Sequence, residues 1–161
     1  MGRRARPAGA SREEEVAALP TLDGAACRGA LAEAASATLA TVSAAGTIDL
    51  VPIVFALDGA DRLVSAVDHK PKRTLELARL ANVEANPAVT LLVDHYDDDW
   101  ARLWWVRVRG VASVLRTGAA RERAIDALVA RYDQYRLVRP AGAAILVDVT
   151  ELTGWAAAER T

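Results

Sequence analysis

Chemistry in this chain concentrates in three short stretches. Residues 68–82 carry Lys70, Lys72, Arg73 and Arg79 against only Asp68 and Glu76. The stretch reads as a strand-to-helix junction, where free backbone N–H groups and the helix dipole favour an anion. Lysine and arginine beside such a terminus add charge-assisted hydrogen bonds to phosphate oxygens. The competing reading is a solvated helix start, since charge runs commonly mark exposed faces.

The second stretch is Asp94-His95-Tyr96-Asp97-Asp98-Asp99-Trp100. Histidine is the side chain suited to proton transfer near neutral pH, so His95 is a candidate acid or base. The carboxylates around it invite a hard-metal reading, but the spacing lacks the sixth-position glycine and twelfth-position glutamate of a calcium loop. An acidic loop joining two strands is expected instead, and no metal. The third feature is the set Trp100, Trp104, Trp105 and Trp155. Such rings stack a flat heterocycle, or fill cores and interfaces. Trp104 is expected in the core or an interface; Trp100 and Trp155 stay open between these roles. No Walker loop, dinucleotide-binding glycine fingerprint, zinc-helix His-Glu pair or paired-cysteine motif occurs. Cys27 has no nearby histidine and reads as a small buried residue of a helix.

These residues need elements to hold them. Residues 1–10 read as a flexible tail. Ser11 with Glu14 forms a capping-box pattern for a short helix before Pro20. Asp23 caps a helix to about Ser36. Thr38–Ser43 and Thr47–Leu57 read as strands around the Ala45-Gly46 turn, and Arg62–Val67 as a third strand after Asp58-Gly59, giving a three-stranded meander. Pro52 lies within the second of these; it cannot donate to a ladder and marks an edge or a bulge. Pro71–Ala85 is helical and ends at Asn86-Pro87. Ala88–Val93 and Leu103–Leu115 are strands, with Trp104, Val106 and Val108 on one face of the latter and Trp105, Arg107 and Arg109 on the other. Thr117 caps a helix to about Tyr132, and Ala143–Val149 is the last strand. About six mostly antiparallel strands with inserted helices predict a mostly β, α+β domain curled toward a barrel. The expected organisation is an N-terminal extension over 1–22 and one domain over 23–161.

Composition excludes several classes. The 161 residues carry a formal net charge of −1 and are 52% hydrophobic and 25% charged. Disorder is excluded, and a polyanion binder would be more basic, so no nucleic-acid partner is expected. A single cysteine excludes an internal disulfide. No apolar run reaches the roughly 18 residues of a membrane span. The arginines at 3, 4 and 6 run into Glu13–Glu15 with no long apolar stretch, which fails the signal-peptide pattern. A cytoplasmic location and no membrane association are expected.

The runs ATLATVSAAGTIDLVPIVFAL, VSAVDHKPK and LARLANVEANPAVTLLVDHYDDDWARLWWVRVRG resemble the pyridoxamine 5′-phosphate oxidase-like superfamily, and most closely its actinobacterial branch of probable F420-dependent enzymes. The resemblance is strong over residues 36–115 and continues more weakly through RYDQYR at 131–136 and Gly154-Trp155. It implies a split β-barrel of the FMN-binding type, a homodimer, and a cofactor in the groove between subunits. It implies that Lys70 and Lys72, which match the branch's Lys-Pro-Lys, and Arg79 hold the cofactor's phosphate, and that the backbone of Val51, Pro52 and Ile53 meets its ring; with Arg73 these cations make a wider basic surface that suits the acidic tail of F420. Arg107 matches the branch's Trp-Trp-Val-Arg without an assigned role. The chain departs from the branch in its longer N-terminal part, in Ala45-Gly46 where relatives have Asp-Gly, and in Ser36-Ala37 where an arginine is common. The implied activity is hydride transfer between coenzyme F420 and a small electron-poor substrate, with His95, Tyr96 or water as proton source. An FMN oxidoreductase of the same fold and a non-catalytic cofactor-binding module are the alternatives.

Overall fold

A computed structural model describes residues 21–67 and 73–158, without the side chains of 73–77. The proposed helix near Ser11 lies outside these residues. In chain order the elements are β1 (Thr21–Leu22), α1 (Gly24–Glu33), β2 (Ala37–Val42), β3 (Ile48–Ile53), β4 (Ala56–Leu57), β5 (Arg62–Ala66), α2 (Arg73–Ala85), β6 (Ala88–His95), β7 (Trp104–Leu115), α3 (Ala119–Arg131), α4 (Asp133–Leu137) and β8 (Ala144–Ala156). A 3-10 turn, Trp100–Arg102, lies between β6 and β7.

The strands form one antiparallel eight-stranded sheet, where about six were expected. Its order is β3-β2-β6-β7-β8-β5-β4, with β1 pairing with the far end of β8. The sheet curls into a half-barrel whose edges are β3 and β4. Pro52 sits in edge strand β3 opposite Thr38, where a missing N–H costs no central ladder bond.

The three-stranded meander is corrected. Among the described residues β3 pairs only with β2, while β5 pairs with β4 and β8 at the opposite side of the sheet. The chain leaves the ladder at Val54-Phe55, and side chains take over the hydrogen bonds lost there. The Tyr132 hydroxyl accepts from Phe55 N–H at 3.2 Å and donates to Phe55 O at 2.7 Å. Ser65 Oγ donates to Val54 O at 2.8 Å. A buried backbone break is tolerated only with such replacement partners. Arg131 adds a further tie: it lies over the Phe55 ring at 4.9 Å and donates to the carbonyls of Leu31, Ala32 and Ala34, the unsatisfied end of α1.

Asp23 caps α1 by accepting from Ala26 N–H at 2.8 Å, and the helix ends at Glu33, short of Ser36. The cap of α3 is Gly118 at φ 89°, not Thr117; a β-branched residue does not adopt that backbone. The last strand runs to Ala156, seven residues past the expected end. A bulge lets it continue: Arg109 pairs with Glu151 and Gly110 with Val149, leaving Thr150 extra. A Cβ on Gly110 would come 2.5 Å from Asp148 O.

Alternation along the strands makes two faces. The concave face buries Leu39, Leu91, Val106 and Val108 together with Cys27 and Leu31 of α1 and Leu80 and Val83 of α2. On the convex face, α3 covers only the β4–β5–β8 end, where Val64, Ala124, Ile125, Leu128 and Tyr135 form a second core. Arg121 anchors that cover, donating to Pro140 O at 3.0 Å and Gly142 O at 2.7 Å. Among the described residues no helix is long and apolar enough to cross a membrane.

Candidate cofactor groove on the uncovered sheet face

Among the described residues, nothing covers the other half of the convex face, across β3, β2, β6 and β7. Alternation puts Ile48, Leu50 and Pro52 there from β3, opposite Val42, Ala40 and Thr38 of β2. Register extends the face through Thr90, Leu92 and Asp94 of β6 to Arg109, Arg107 and Trp105 of β7. An antiparallel sheet with one wet face normally carries polar residues on it. Here Ile48 is 67% exposed, Leu50 69% and Leu92 40%.

A groove of about 520 Å³ runs across this face, lined by Thr38, Ala40, Leu50, Thr90, Leu92, Asp94, Tyr96, Trp105 and Arg107. Its β3 end is aliphatic. Its β7 end holds an aromatic plate, a cation, a carboxylate and a phenol. The Arg107 guanidinium lies 6.0 Å from the Trp105 ring centroid, within cation–π range.

The proposed cofactor residues fall on adjoining elements. Val51 and Ile53 turn toward the concave core, and Pro52 alone of the three turns to the bare face. Any ring contact by this segment is therefore through backbone and Pro52. Lys70, Lys72 and the Arg73 side chain lie outside the described residues. Arg79 is partly buried on α2. One turn further along that helix, Asn82 Nδ2 donates to Thr41 Oγ1 at 3.1 Å and to Asp49 Oδ2 at 2.8 Å. This bond pair pins α2 to the β2–β3 hairpin and so fixes Arg79 relative to the edge strand. Sequence reading missed Asn82, although an asparagine on the apolar side of a helix is the available signal.

The two proton-transfer candidates separate. Tyr96 is 78% exposed and lines the groove. His95, one residue earlier, turns to the concave side, stacks on Trp104 with centroids 6.3 Å apart, and lines a different cavity with Glu33 and Arg102. His95 Nε2 lies 3.5 Å from Asp97 Oδ2, which also pairs with Arg102 at 3.1 Å. The Asp97 carboxyl is held below its ordinary range, first by the Asp99 backbone N–H and then by Arg102 and His95. The acidic run thus serves as a loop closed by its own hydrogen bonds, with Asp99 capping the 3-10 turn. No cluster of His, Cys, Asp and Glu able to hold a metal occurs among the described residues. Cys27 is fully buried in the concave core, and burial pushes its thiol upward, as expected of an inert packing residue. Trp104 packs against the concave core, also as expected. Trp155 pairs with Trp105 on the convex side, and Trp100 is exposed in the loop.

Comparison with known proteins agrees with this architecture. The family model described as pyridoxamine 5′-phosphate oxidase matches residues 24–156. No curated protein matches the sequence significantly. Among solved structures, a FAD-binding protein from Mesorhizobium loti superposes with a TM-score of 0.65 at 19% identity, covering 85% of this chain and 96% of that one. The FAD-binding protein from Mycobacterium smegmatis gives 0.56 at 23% identity, covering 84% and 97%. HutZ, the heme storage protein from Vibrio cholerae, gives 0.61 at 18% identity, covering 78% and 89%. At these identities the likeness is one of fold.

Proposed function

The chain belongs to the pyridoxamine 5′-phosphate oxidase family, and from that premise we propose that two copies meet across the bare convex half-face and bind a flavin-class cofactor, F420 in our reading, in the groove between them. The reaction is hydride transfer between this cofactor and a small electron-poor substrate. The observation that carries the reading is the aromatic-ended groove on an otherwise exposed apolar sheet face. A planar heterocycle suits such a slot, and the surrounding aliphatic surface suits a second copy of the same patch.

Lys70, Lys72, Arg73 and Arg79 would hold the cofactor's anionic end. F420 carries a phosphodiester and an oligoglutamate tail, so a spread of cations suits it better than it suits the single phosphate of FMN. The cofactor supplies hydride; the protein binds, orients and shields it from water. Tyr96 is the better proton donor of the two candidates, because its hydroxyl shares the groove while His95 lines another cavity.

Titrating the protein with F420 and with FMN, followed by fluorescence, tests this reading. F420 is expected to bind with Kd below about 100 μM; binding of neither cofactor would overturn it. The FAD-binding neighbours favour the FMN alternative, which a yellow protein with oxidised-flavin absorbance would select. Tight binding without turnover across a panel of enones would select the storage module. The double variant Lys72→Ala/Arg79→Ala is expected to weaken cofactor binding by about 2–5 kcal/mol, the worth of two charge-assisted bonds.

A further inference from the structure

We propose that Arg107 is the substrate-binding residue of the groove, and that it takes a carboxylate or ketone oxygen conjugated to the electron-poor bond already assigned to the substrate. The proposal rests on the functional reading above and names its substrate class.

Arg107 lines the polar end of the groove in an otherwise mainly aliphatic and aromatic wall. Asp94 lines the same end of the groove but makes no ion pair with Arg107 among the described residues, and the carboxylate on the facing strand is committed elsewhere. Glu151 accepts from Arg109 Nη1 at 3.1 Å and from Thr153 Oγ1 at 3.0 Å, while Arg107 Nη2 stays 3.9 Å away, beyond hydrogen-bond range. Arg107 Nε is buried and has no hydrogen-bond partner among the described residues. A second such donor stands on the next strand: Trp155 Nε1 is also buried and without a partner among them. Arg107 pairs with Thr153, and Trp155 with Trp105, so the two donors are diagonal neighbours on one face, about 7–8 Å apart between Cα atoms. Buried donors without acceptors are costly and rare. Two of them beside a groove call for a ligand that brings oxygen acceptors.

The same placement serves the chemistry. Hydride from the reduced cofactor would form a C–H bond at the β-carbon, the C=C pair would become a Cα=C bond as the C=O pair moves onto oxygen, and a proton from the Tyr96 hydroxyl, replaced from solvent, would go to the α-carbon as C=O re-forms. The substrate gains two electrons and two hydrogens, and the cofactor is oxidised by two electrons. Negative charge grows on the oxygen that faces Arg107, where a fixed cation stabilises it most.

Calorimetric titration with trans-cinnamate, and with cinnamyl alcohol as its neutral counterpart, tests the assignment on the protein alone and with saturating oxidised cofactor. Cinnamate is expected to bind the wild type, to lose tenfold or more in Arg107→Gln, and to lose less in Arg107→Lys, which keeps the charge but not the planar fork. Cinnamyl alcohol should bind all three alike. Equal cinnamate affinity in wild type and Arg107→Gln, or no cinnamate binding to any form, overturns the proposal. F420 and FMN titrations of the same variants separate the two readings. If neither cofactor binds, the functional reading falls whatever cinnamate does. If a cofactor binds wild type and Arg107→Gln equally while cinnamate ignores the substitution, only the Arg107 assignment falls. Lost cofactor binding in Arg107→Gln with unchanged cinnamate affinity would also overturn it, moving Arg107 to the cofactor.

Discussion

The convex face of this sheet is finished in two ways. Over β4, β5 and the start of β8, helix α3 lies on it and buries Val64, Ile125 and Leu128. Over β3, β2, β6 and β7, no described element lies on it, yet its residues are equally apolar at Ile48, Leu50 and Leu92. Chain chemistry is spent to seal one half and withheld from the other. A monomer gains nothing from aliphatic side chains on a bare strand face, and exposed edges with such faces invite aggregation. On the proposed reading the bare half is the part that a second copy completes, and the sealed half is its internal support.

Stability measurements break this contrast most directly. Leu128→Ala in the sealed half removes a fully buried side chain and is expected to cost about 2–5 kcal/mol in urea unfolding. Leu50→Ala in the bare half should change the stability of the monomer by less than about 0.5 kcal/mol. Similar costs for both would mean that Leu50 is already covered within one chain. The complementary experiment places charge on the bare half. Leu50→Asp with Leu92→Asp should move the protein from dimer to monomer in sedimentation at micromolar concentration while leaving its circular dichroism intact, because two facing carboxylates cannot be desolvated against their own copies. A dimer that survives the pair would locate the interface elsewhere.

An intermediate effect is expected where the two faces meet the cofactor elements. Asn82→Leu removes the bonds to Thr41 and Asp49 and leaves a buried threonine hydroxyl without that donor. It should lower stability by about 1–3 kcal/mol and weaken cofactor binding as α2 shifts. Wild-type affinity for F420 and FMN in this variant would detach α2 from the site.

Much of this was legible in the residues. β-Branched residues marked β2, an apolar run after Asn86-Pro87 marked β6, and in β7 period-two alternation assigned Trp105, Arg107 and Arg109 to one face, because strand geometry dictates it locally. Asp23 gave its helix start in the same way. What failed was long-range. The chain break at Val54-Phe55 depends on Tyr132, 77 residues away from Phe55, and no local pattern encodes that bond. The extension of β8 past the bulge depends on Gly110 in another strand. For the site, composition pointed to the basic segment and the acidic loop. The groove itself was invisible, since its walls come from β2, β3, β6 and β7 and only the register brings Leu50, Leu92 and Arg107 onto one surface. His95 and Tyr96 looked equivalent in sequence, and alternation at the end of β6 parts them.

The smallest expected effect compares one carboxylate from each half. Glu122 starts the sealed half's network and Glu151 belongs to the bare half; both carboxyls are held below their ordinary range. For Glu122 the cause is hydrogen bonding by Arg139 and then Arg121; for Glu151 it is the Thr153 hydroxyl, then the charge and hydrogen bond of Arg109. A carboxyl lowered by folding stabilises the native state above its unfolded pKa, and that contribution is lost as pH falls through the folded value. Both should therefore weaken the protein below about pH 4, and substituting glutamine should remove the pH dependence of each. Their sizes differ with their partners. Glu122 holds Arg121, whose buried guanidinium ties Pro140 and Gly142 to α3, so Glu122→Gln should lower the urea midpoint at neutral pH. Glu151 touches only half-exposed arginines and a threonine, and an exposed pair is worth little. Glu151→Gln should lower the midpoint by much less, and should free Arg109, and with it the Arg107 side of the groove, to hold added cinnamate more tightly. A Glu151→Gln midpoint that falls as far as that of Glu122→Gln would make the bare half as structurally committed as the sealed one.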